Sequence, residues 1–95
     1  MTTKMIGNKK ITILNSDMSK EMETEAIDCA FLAVIKHTNK LEIANYIQDK
    51  FDNKYGKYWC CIVGPPTFAS TVRYKPNHHI CFNLDQLCIL LYKTH

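Results

Sequence analysis

Cysteine and histidine are the residues whose chemistry stands out in this chain, with five of the first and four of the second. Cys60, Cys61, Cys81 and Cys88, with His78 and His79, include enough soft ligands for zinc, or a thiolate nucleophile with an imidazole base. The spacing argues against both uses. Neither CxxC nor HxxxH occurs. Adjacent residues on a strand point to opposite faces, so Cys60 with Cys61, or His78 with His79, cannot readily close on one ion. Cys81 and His79 share a strand face two residues apart, yet no third group to orient the imidazole and no oxyanion site is signalled. The expectation is therefore no enzyme activity, no metal and no cofactor, with the cysteines acting as small buried hydrophobes.

Composition sets the remaining bounds. A chain of 95 residues forms one domain, at a size where a single core is only marginally sufficient and dimerisation would help. The composition is 46% hydrophobic and 22% charged, as in a folded soluble domain. A net charge of +3 without any basic run gives no footprint for nucleic acid. The aromatics Trp59, Tyr58, Phe68, Tyr74, Phe82 and Tyr92 could stack bases on an exposed sheet, but packing accounts for them better, and a nucleic-acid module is the remote alternative. The opening MTTKMIGNKK has no apolar segment of a signal peptide, and the longest apolar run, Leu87 to Tyr92, is too short to span a bilayer. No membrane is expected, the compartment is expected to be cytoplasmic, and the odd number of cysteines is read as reduced thiols.

The elements that must position these residues follow from periodicity. Residues 1–9 are polar and unpatterned and are expected to form a flexible tail, leaving residues 10–95 as the domain. Ile11 and Ile13 alternate with polar neighbours in a half-buried strand over Lys10 to Leu14. Ser19 caps a helix with Glu21 and Glu23 in its first turn. Met22, Ala26, Cys29, Ala30, Ala33 and Val34 draw its apolar stripe. Asn39 followed by Glu42 resembles a capping box opening a second helix, with Ile43, Ala44, Ile47, Phe51 and Tyr55 on its apolar face and Gly56 at its end. Four short runs rich in β-branched and aromatic residues follow: Trp59 to Val63, Phe68 to Tyr74, His78 to Leu84 and Leu87 to Tyr92. The class is α+β in the order β-α-α-β-β-β-β, an antiparallel sheet with two flanking helices. Gly64-Pro65-Pro66 stiffens the link before Phe68 and disfavours a tight hairpin, leaving either a surface loop or a strand that crosses to another chain.

Specific phrases now meet this order: NSDMSKEM at Asn15 to Met22, DKFDNKYGKYWCCIVG at Asp49 to Gly64, and CILLYK at Cys88 to Lys93. Together they resemble the eight-kilodalton, type-one dynein light chains over nearly the whole chain, as a divergent member. The resemblance implies a strand-swapped homodimer, associated with the cytoskeleton, that acts as an adaptor or hub within or beside the dynein motor. Each of its two grooves would take a linear motif, for example from dynein intermediate chain or other cargo and assembly proteins, as an added strand. By position, the receiving strand is Phe68, Ala69, Ser70, Thr71, Val72, Arg73 and Tyr74. The groove walls are His79, Cys81, Asn83, Cys88 and Leu90, with Lys40 and Leu41. The dimer interface takes Asp49, Trp59, Cys60, Thr71 and Arg73.

Departures from the family pattern bear on partner choice. Lys40 and Leu41 stand where the family places an acidic residue and a Lys that help recognise a glutamine. His79, Cys81 and Asn83 replace groove aromatics, Thr71 replaces a central aromatic of the receiving strand, and Ala69 replaces a Gly. Cys60 stands where the family has a His, so the protonation control that an interface imidazole provides is expected to be absent. The competing expectation is a structural dimer whose altered groove does not accept the usual motifs.

Overall fold

A computed structural model describes residues 2–65 and 78–93. Seven elements succeed one another: β1 (Thr2–Ile6), β2 (Lys9–Ser16), α1 (Lys20–Lys36), α2 (Lys40–Tyr55), β3 (Trp59–Gly64), β4 (His79–Leu84) and β5 (Leu87–Lys93). The five strands form one antiparallel sheet in the order β1-β2-β4-β5-β3. The α+β class and the two helices stand as expected. The expected strand Phe68 to Tyr74 lies outside the described residues.

The N-terminus requires a correction. Residues 1–9, expected as a flexible tail, contribute β1, which pairs with β2 from Thr2 opposite Ile13 to Ile6 opposite Lys9. The reason is a two-residue turn at Gly7-Asn8 in which Gly7 takes φ +59, a conformation natural to glycine at a hairpin. Ile6 then packs against the core, which gives the short strand an apolar anchor.

Both helix starts follow their capping residues. The Ser19 hydroxyl accepts from the Met22 N–H at 3.2 Å, and Asn39 Oδ1 accepts from the Leu41 and Glu42 N–H groups at 2.8 and 3.2 Å. Glu42 does not return to the cap; its carboxylate sits 3.8 Å from His37 Nδ1 instead. Gly56 ends α2 with φ +82 and ψ 162, a region essentially reserved for glycine.

One core holds the helices to the sheet. Ala26, Ile27, Ala30 and Ala33 from α1 and Ile43, Ile47 and Phe51 from α2 meet alternate residues of the strands: Ile11, Trp59, Ile80, Phe82, Leu84, Ile89 and Leu91. The period of two along each strand is what sends these residues, and not their neighbours, to the helical side. Phe51 and Trp59 lie edge to face with centroids 4.9 Å apart, a geometry favoured by the aromatic quadrupole. The indole is only 2% exposed. Trp59, expected at a dimer interface, is thus a core residue of a single chain, because its strand position faces α2.

Candidate functional site

The same alternation builds a second face on the sheet. Along β4 it carries His79, Cys81 and Asn83, and along β5 Cys88, Leu90 and Tyr92. The register sets His79 opposite Tyr92, Cys81 opposite Leu90 and Asn83 opposite Cys88. β3 extends this face with Cys60 opposite Tyr92 and Ile62 opposite Leu90. β2 extends it on the other side with Thr12 opposite Asn83 and Asn15 opposite Cys81. Cys81, Cys88 and Leu90 form a small apolar cluster of their own, flanked by Tyr92. Five of the residues expected to wall a groove therefore share one face.

This face is apolar but not inert in its polar groups. The Cys81 and Cys88 sulfurs are 3.8 Å apart. Burial pushes the Cys81 thiol up to about 12 and raises that of Cys88, so both stay protonated at neutral pH. Burial likewise raises the Tyr92 phenol, reinforced by Cys60 across the strand pair. Asn83 Oδ1 is buried and, among the described residues, has no hydrogen-bond partner.

His79 sits at one end of the face and is held from two sides. Its Nδ1 is 2.8 Å from Asp17 Oδ1, and its Nε2 is 3.2 Å from Asn15 Oδ1. Burial lowers its pKa, against the opposing pull of the Asp17 carboxylate. Asp17 and Asn15 were read in the sequence only as the end of a strand. Nothing local announces their bonds to a residue on the far side of the chain.

At the outer boundary of the face, β3 is the last strand of the sheet, paired on one side with β5. Among the described residues its other edge carries no strand. Ile62 is 38% exposed on that edge, and Cys60 is half-buried beside it. An unpaired edge with an exposed β-branched side chain is a template for a further strand.

The remaining expected residues fall elsewhere. Lys40 and Leu41 open α2 in solvent, with Leu41 69% exposed, and no described contact joins them to the β4–β5 face. Asp49 is exposed on α2. Phe68, Ala69, Ser70, Thr71, Val72, Arg73 and Tyr74 lie outside the described residues. Among the described residues, no three His, Cys, Asp or Glu side chains gather as a metal site. No described helix is long and apolar enough to cross a membrane.

Comparison with known proteins places this architecture. The family model for dynein light chain type 1 matches residues 10–94. The chain belongs to the dynein light chain family. Only β1 lies wholly ahead of the span that defines this light chain. Among solved structures, it is similar to the dynein light chain-like domain of the Fasciola hepatica calcium binding protein FhCaBP2. That likeness has a TM-score of 0.82 at 22% identity and covers 93% of this chain and 94% of that one. The light chain-like domain of CsTAL3 follows with a TM-score of 0.75 at 18% identity, covering 88% and 92%. At these identities the likeness is one of fold. Dynein light chain folds thus occur in proteins whose names refer to other roles.

Proposed function

We propose that this light chain is a non-catalytic homodimeric adaptor that binds extended peptide segments by strand addition. The observation that carries the reading is the open edge of β3, bordered by the apolar face of Cys81, Cys88 and Leu90. In this reading the segment after Gly64 crosses to a second copy. Its stretch Phe68 to Tyr74 lies against the partner's β3, and its own outer edge takes the peptide. Main-chain hydrogen bonds would supply affinity, and the face would select alternate side chains. Asp49, Cys60, Thr71 and Arg73 are then interface residues, while Lys40 and Leu41 border the groove mouth. Two grooves on one dimer give a bivalent partner a high effective concentration, so weak single contacts can still organise an assembly. Dynein intermediate chain and other cargo proteins, in a cytoskeleton-associated setting, are the partners to try first.

One observation favours a second reading, a dimer with a groove that refuses the usual motifs. His79, placed where the family has an aromatic, is already engaged by Asp17 and Asn15 within its own chain. Calorimetry separates the two. The adaptor reading expects saturable binding of one peptide per chain, from glutamine-containing family peptides or from a randomised library. An intact dimer that binds neither contradicts it.

A further inference from the structure

The two ends of the sheet differ in origin. β3 closes one end within the span that matches the family, whereas β1 closes the other and lies ahead of that span. The register shows how β1 presents its backbone. Lys10, opposite Met5, turns both of its main-chain groups toward Asp85: its N–H donates to Asp85 Oδ1 at 2.9 Å, and its carbonyl accepts from the Asp85 N–H at 2.9 Å. Residues directly opposite in an antiparallel pair either exchange both bonds or point both away from each other. Met5 therefore aims its N–H and carbonyl outward, and by the period of two so does Thr3. Among the described residues no strand meets that edge, and Met5 is 61% exposed on it.

Beside the edge, where β2 runs on past the start of β1, a cavity of about 480 Å³ opens between Leu14, Asn15 and Ser16 and the first turns of α1. Lys4 lines it from the strand and Lys20 from the helix. Among the described residues neither ammonium group forms an ion pair; Glu23 also lines the cavity but pairs with neither.

We propose that the outer edge of β1 is a docking site for an acidic, extended segment of a partner protein, added as a further strand at the end of the sheet opposite β3. The outward groups of Thr3 and Met5 hold its backbone, and Lys4 and Lys20 meet its carboxylates. A lone Lys on an edge strand serves to keep other strands away. Lys20, on a helix beside the edge, has no such use, and its place across the cavity from Lys4 makes a site for negative charge. Because β1 pairs within its own chain, this site needs neither a second copy nor the adaptor reading.

The probe is a fluorescein-labelled peptide alternating Glu with Thr and Val, titrated into the full chain by anisotropy, with amide hydrogen exchange read residue by residue by NMR. Saturation should slow exchange at Thr3 and Met5 by on the order of tenfold. Lys4→Glu combined with Lys20→Glu, with folding checked by circular dichroism, should weaken binding by roughly tenfold, and Gln in place of Glu in the probe should weaken it likewise. Binding that leaves exchange at Thr3 and Met5 unchanged puts the peptide elsewhere and overturns the inference. So does equal affinity for the Gln probe, which decides the matter even if the double variant fails to fold, or equal affinity of a folded double variant. An oligonucleotide that binds as tightly as the Glu probe shows attraction to charge alone and also overturns it, as does no binding of the Glu probe, with the adaptor reading left intact.

Discussion

His79 and Asp17 stand 62 residues apart and are joined three ways: the His79 N–H donates to Asp17 Oδ1 at 3.1 Å, the Asp17 N–H donates to the His79 carbonyl at 3.2 Å, and the imidazole Nδ1 lies 2.8 Å from the same carboxylate oxygen. This latch ties the start of β4 to the link between β2 and α1. It fixes one end of the second face within a single chain.

A pH dependence of folding follows from the latch. The His79 pKa is lowered from 6.5, first by burial, with Asp17 opposing through charge and hydrogen bond. Because the folded value is the depressed one, the unfolded chain takes up a proton first as pH falls. The contribution of His79 is therefore complete above about 6.5 and is lost as pH drops below that value toward the folded pKa. Urea denaturation at pH 7.5 and pH 5 should show a lower midpoint at pH 5. His79→Gln should remove part of that difference.

Asp17→Ala breaks the latch and leaves His79 buried with fewer partners. The expected loss of stability is about 1–3 kcal/mol, as for other buried groups stripped of a hydrogen-bonding partner. Thermal denaturation followed by far-UV circular dichroism measures it. A change within a few tenths would mean that the carboxylate contributes little.

Gly56 presents a different kind of constraint. A Cβ there would meet only Lys93 Nζ, at 3.8 Å, so space is not limiting. The backbone is, since φ +82 with ψ 162 is strained for any residue with a side chain. Gly56→Ala should lower stability by about 1–3 kcal/mol in the same denaturation assay. A neutral result would imply that the end of α2 readily takes another conformation.

Thiol chemistry should divide the cysteines sharply. Burial pushes Cys29 up to about 11 and Cys81 up to about 12, and raises Cys61 and Cys88 as well. Those four should resist alkylation of the folded protein at pH 7.5, and Cys60, half-buried in the single chain, should react first only when the protein is diluted to monomer. Timed iodoacetamide labelling with peptide mass mapping reads this directly. Early labelling of Cys81 would contradict the packing of the β4–β5 face.

Trp59 is the chain's single tryptophan and reports on the core. Packed against Phe51 at 4.9 Å and Tyr55 at 6.3 Å, it should emit in the blue and shift to the red on unfolding. Phe51→Ala should cost about 3–5 kcal/mol through lost burial and a residual cavity. Fluorescence-detected denaturation measures both effects.

The sequence made the helices legible because their signals are local. Ser19 and Asn39 cap where their side chains can reach the first N–H groups, and apolar stripes at spacings of three and four face the core. The shared face of β4 and β5 came from the family resemblance, and the alternation along each strand accounts for it. Two features were not legible. β1 was hidden because Thr2 to Ile6 carries little apolar signal, although Gly7-Asn8 is a known hairpin pair and could have disclosed it. The His79 latch was hidden for a deeper reason. It joins residues 62 positions apart, and nothing in Asn15-Ser16-Asp17 distinguishes a strand end from a partner for a distant imidazole. Trp59 shows a third limit, because a large aromatic on a strand suits an interface and a core equally until the strand's facing is known.

The central claim is that the open edge of β3 receives a strand from a second copy, and sedimentation equilibrium tests it most directly. The full chain should sediment as a dimer at micromolar concentration, and Ile62→Lys, which puts a charge on that edge while sparing the helical core, should shift it toward monomer by tenfold or more in dissociation constant. A wild-type chain that remains monomeric at every concentration, or an Ile62→Lys variant as dimeric as wild type, would contradict the account.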